Sequence, residues 1–79
     1  MRTFFEERAS ALRSLDFKKL SAYMKKYGER APAVESPIFW AGVHKARVMC
    51  PQMTKAEREY SRVWLRANGW QVPGEEMRA

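Results

Sequence analysis

The chain has 79 residues, 15 of them basic and 9 acidic, with a formal net charge of +6 and a pI near 9.9. That length allows one domain with one small core, and a hydrophobic share of 46% with 13% aromatic residues excludes a disordered polar chain. A single cysteine excludes an internal disulfide framework and fits a reducing compartment, and no run approaches the roughly 18 apolar residues of a membrane span.

The N-terminus, Met1 to Glu7, turns acidic too early for a signal peptide, so a soluble cytoplasmic protein is expected. Thr3 and Glu6 have capping-box spacing and predict a first helix over 3–14, with Phe5, Ala9 and Leu12 as its apolar stripe. Asp16 suits an N-cap for a second helix over 16–27. Phe17, Leu20, Met24 and Tyr27 recur there at helical spacing, and Gly28 stops it. Ser14-Leu15-Asp16 holds neither Gly nor Pro, which leaves open whether these are two helices or one bent helix.

Residues 29–35, with Pro32 between two alanines, read as a loop. Ser36 and Pro37 then open a third helix over 37–49, ended by Pro51. This helix is apolar nearly all round, which predicts the buried centre of the domain, with His44, Lys45 and Arg47 as exceptions. Thr54 and Glu57 form a second capping box and start a fourth helix over 55–68. Ala56, Tyr60, Val63 and Ala67 share one face of it, beside Trp64, and Asn68-Gly69 closes it. Trp70 and Val72 are expected to fold back on the core, with a single domain over 1–72 and a flexible tail over 73–79. The expected fold is an all-α compact bundle of three to four short helices. Its core includes Phe5, Leu12, Leu20, Met24, Phe39, Val43, Tyr60, Val63 and Trp64.

Catalytic constellations are poor. One histidine and one cysteine, six apart on a helix, make neither a zinc site nor a nucleophile–base pair, and the adjacent pairs Glu6-Glu7 and Glu75-Glu76 do not face each other. No cofactor, metal or enzymatic activity is expected. The cations are better ordered. Lys18, Lys19, Lys25 and Lys26 fall within about 120° of the second helix, opposite its apolar stripe, and Arg58, Arg62 and Arg66 recur every four residues with Lys55 close by. Such faces can follow a phosphate backbone and point to DNA or RNA, although Glu59 stands close enough to Arg62 to neutralise part of the ladder. The short Pro51-Gln52-Met53 connection also permits a helix-turn-helix, with Lys55, Glu57 and Arg58 leading.

A rival expectation is a host-directed protein–protein inhibitor or adaptor, or a homodimer, docking through an apolar helix surface with Phe4, Trp40, His44 and Arg47 as interface residues. The segments Ser36 to Arg47 and Trp64 to Trp70 resemble small uncharacterised accessory proteins encoded by temperate bacteriophages and prophages. That resemblance implies a bacterial cytoplasmic setting and action on host proteins or nucleic acid. It carries no catalytic motif and transfers no functional residue.

Overall fold

The computed structural model describes residues 4–31 and 33–75. Four helices follow one another, α1 (Phe4–Ser14), α2 (Phe17–Lys26), α3 (Pro37–Met49) and α4 (Lys55–Ala67), with no strand among the described residues. None of these helices is long and apolar enough to cross a membrane.

Local chemistry sets the helix ends. Asp16 accepts from the Lys19 amide at 3.0 Å, and Ser36 accepts from the Phe39 amide at 3.1 Å with Pro37 in the first turn. Thr54 and Glu57 close a complete capping box. Gly28, at φ 74°, lets the Glu29 amide reach back to Met24 O at 2.8 Å, which stops α2. Thr3, the expected cap of α1, lies outside the described residues.

α1 and α2 are separate helices. Leu15 takes φ 50°, a left-handed value that a branched residue adopts at some cost, and half-buries its side chain against the core. Ser14 supports the break, its hydroxyl donating to Ala11 O at 2.6 Å and accepting from the Asp16 amide at 3.2 Å.

α3 is the central helix, as its composition predicts. On one side Val43 joins Ala9, Leu12, Leu20 and Met53 beneath α1 and α2, with Cys50 fully buried among them. On the other, Ala41 and Val48 meet Leu65 of α4 and Val72, flanked by Trp64 and Trp70. Apolar burial on both faces is the main stabilising term for so small a domain. Leu12, Leu20, Val43 and the folding back of Trp70 and Val72 match expectation, while Met24, Phe39 and Trp64 are half-buried at the margin.

Three expected core residues are not core. Phe5, Tyr60 and Val63 are 57%, 55% and 53% exposed. Phe5 packs edge-on against Phe4 at 5.5 Å. Tyr60 and Val63 are outside because α4 is rolled about its axis, so that Ser61 and Leu65, both fully buried, face α3. Positions 73–75 of the expected flexible tail are placed against the domain. Val72 to Glu75 form a turn, with the Glu75 amide donating to Val72 O at 2.9 Å, and Arg66 holds the Glu75 carboxylate at 2.6 Å. Residues 76–79, the rest of that segment, lie outside the described residues.

Candidate functional site

Arg47 explains the roll of α4. It is 3% exposed, and its guanidinium makes three hydrogen bonds: Nε to Ser61 Oγ at 2.6 Å, Nη1 to Leu12 O at 2.8 Å, and Nη2 to Glu57 O at 3.3 Å. Leu12 O belongs to the last turn of α1, where helical carbonyls lack partners and the dipole is negative, so a buried cation is stabilised there. Burial lowers the Arg47 pKa from its ordinary value, but a guanidinium remains charged at neutral pH.

His44, one turn earlier and also 3% exposed, meets Ser61 Oγ through Nδ1 at 2.9 Å and stacks on Trp64 at 4.3 Å. Because Arg47 Nε can only donate, we assign the Ser61 hydroxyl proton to His44 Nδ1 and the imidazole proton to Nε2. Desolvation, with the Arg47 charge in second place, depresses the His44 pKa to about 4. A serine and a neutral histidine in hydrogen-bond contact resemble a nucleophile and base. Ser61, however, is 0% exposed and cannot meet a substrate. The group is a buried polar joint between α1, α3 and α4.

This joint makes stability pH-dependent. The unfolded histidine binds a proton near pH 6.5, and the folded one resists it until about pH 4. Its contribution is therefore complete above pH 6.5 and is lost as pH falls through that window, by about 1.4 kcal/mol per pH unit for one site. Urea titrations at pH 7, 5.5 and 4.5 should show this loss, and His44→Gln, which keeps an acceptor for Ser61, should flatten it. Equal pH slopes in the two proteins would rule out His44 as the source.

A second clasp holds the α3–α4 turn. Arg13 grips the Glu57 carboxylate through Nε and Nη2, and Nη2 also donates to Gln52 O at 2.9 Å. The Arg13 bond first, and then the cap with Thr54, hold the Glu57 carboxyl near pKa 2.

The expected interface quartet is thereby corrected. His44 and Arg47 are interior residues, because each finds its partners across α3–α4 instead of in solvent. Trp40 is half-buried, its indole Nε1 donating to Glu35 at 2.8 Å. Phe4 alone of the four is exposed, at 44%, in an aromatic group with Phe5, Tyr23 and Tyr27.

The expected basic faces divide. On α2, Lys18, Lys19 and Lys25 are exposed and have no carboxylate within ion-pair distance among the described residues. Lys26 is held by Glu7 at 2.9 Å, and that carboxylate also accepts from Tyr27. Lys18 and Lys25 flank a shallow depression that also contains Ser21, Ala31 and Ala33, and the Ser21 hydroxyl has no hydrogen-bond partner in the structure. On α4, Lys55 is exposed, but the arginine ladder is largely occupied. Arg62 pairs with Glu59 at 3.3 Å, and Arg66 pairs with Glu75 at 2.6 Å and lies 3.9 Å from Glu59. Arg58 is half-buried. The α3–α4 connection has helix-turn-helix length, but its leading carboxylate Glu57 is fixed to Arg13, and the exposed side of α4 carries an apolar stripe beside its charges.

An apolar groove of about 320 Å³ runs between α1, α2 and α3 over Leu12, Leu20, Phe39 and Val43, with Arg8 and Glu29 also lining it. Among the described residues, no three His, Cys, Asp or Glu side chains are grouped to hold a metal. No protein-family model, curated protein or solved structure matches the chain.

Proposed function

We propose that this protein is a small non-enzymatic binding module that engages DNA or RNA through the lysine face of α2. The supporting observation is the contrast between two helices. Lys18, Lys19 and Lys25 stand exposed without an ion-pair partner among the described residues, Lys18 and Lys25 beside one shallow depression, whereas the α4 arginines are mostly engaged by carboxylates. Lysines on one face, about 10 Å apart for Lys18 and Lys25 at 1.5 Å per residue, present point charges suited to phosphates without reading bases. Lys26, Lys55, Arg58, Arg62 and Arg66 contribute to the surrounding positive field. The net charge of +6 acts in the same direction. A phage-encoded accessory role and a cytoplasmic location form part of this reading and rest on the resemblance of the segments around Trp40 and Trp64.

Mobility-shift titrations provide the test. Wild-type affinity should fall steeply between about 50 and 200 mM salt, and Lys18→Glu/Lys25→Glu should weaken binding about tenfold or more for all sequences alike. Its thermal melt should match wild type, because both positions are solvated. Absence of binding at low salt, or unchanged binding by the double variant, rejects the proposal.

A second reading, docking on a host protein, is favoured by the exposed Phe4-Phe5 pair at the start of α1. Affinity capture with and without nuclease separates a direct protein partner from one bridged by nucleic acid.

A further inference from the structure

The roll of α4 that seats Ser61 and Leu65 against α3 leaves a different set of side chains facing solvent. Ala56, Tyr60, Val63 and Ala67 recur at i, i+4, i+7 and i+11 on one face, and all four are exposed. That is the spacing of a helix–helix seam, in solvent on a strongly charged helix. The stripe is also symmetrical along the helix: its two ends are alanines, its two centre residues are large, and its midpoint falls between Ser61 and Arg62.

We propose that this stripe is a self-docking surface, and that two copies of the chain associate through antiparallel α4 helices about a two-fold axis at that midpoint. The axis brings Ala56 level with the second copy's Ala67, and Tyr60 level with the second copy's Val63. Small residues meet at both ends, where the backbones must approach closely, and a ring covers a branched side chain on each side of the centre. The contact is isologous, so each copy supplies the same patch and the assembly closes at two.

The charges flanking the stripe select the antiparallel arrangement. Glu59 and Arg66 lie on the same flank, about 70° and 90° from the middle of the stripe at 100° per residue. Antiparallel pairing sets like flanks together, which places Glu59 beside the second copy's Arg66, twice over by symmetry. Within one copy, Arg66 already reaches to 3.9 Å from Glu59, so the same carboxylate can be shared across the axis. Parallel pairing would instead set this flank beside the opposite one, where Trp64 and a Glu57 already clasped by Arg13 lie, so Glu59 would gain no arginine of the second copy's α4. Because the lysine face of α2 lies across α3 from α4, the dimer leaves it open, and neither proposal depends on the other.

One short helix per copy makes a contact at the low end of interface size, so the association should depend on concentration. Sedimentation equilibrium on the nuclease-treated full chain, from about 1 μM to about 1 mM, should show the mass moving from one copy to two. Val63→Glu should remain a single copy throughout, with an unchanged circular-dichroism melt, because Val63 is exposed in the single chain. Glu59→Arg should weaken the dimer about tenfold, since two ion pairs become two repulsions, and Glu59→Arg/Arg66→Glu should recover most of it. A wild-type mass of one copy at every concentration overturns the proposal. So does a doubled mass that survives Val63→Glu, or an assembly that grows beyond two.

Discussion

Arg47→Ala is expected to destabilise the fold by about 3–5 kcal/mol, a large part of what a domain of this size possesses. The loss has three sources. Leu12 O at the end of α1 loses its donor, Ser61 Oγ loses one of its two contacts, and the volume of a buried guanidinium is left empty between three helices. Arg47→Lys should not restore stability, because one ammonium cannot reach groups that the planar fork spans from α1 to α4. Urea denaturation followed by circular dichroism measures both variants. If Arg47→Ala unfolds at the wild-type midpoint, the joint does not hold the bundle together.

Leu65→Ala should cost about 2–5 kcal/mol, whereas Val63→Ala, two residues earlier on the same helix, should cost less than about 0.5 kcal/mol in dilute solution. Leu65 is 0% exposed and packs with Ala41, Val48 and Val72, so truncation leaves a cavity that its neighbours cannot readily fill. Val63 stands 53% exposed, and its truncation opens no cavity. The pair tests the roll of α4 directly, since the apolar pattern of the helix by itself would reverse the ranking. Thermal melts at low concentration decide it, and a larger loss for Val63→Ala would show that α4 packs the other way round.

The sequence alone determined the helices and most of their ends. Asp16, Ser36, Thr54 with Glu57, Gly28 and Gly69 act within one turn of chain, so their effects are local and readable from spacing. The central position of α3 was equally legible, because a helix apolar on most sides must be covered on most sides. The break at Leu15 was not, since a left-handed leucine has no local signature and is held by the packing of its side chain. The inward face of α4 was also hidden. Apolar periodicity selects Tyr60 and Val63, but a buried polar group without partners costs more than an exposed apolar one. Arg47 and His44 lie 14 and 17 residues from Ser61 along the chain, and their need for its hydroxyl turned α4 by roughly 150° away from its apolar face. The lysine face of α2 could be read as a pattern. Which of the cations are free of carboxylates depended on where Glu7, Glu59 and Glu75 come to lie, and tertiary structure decided that.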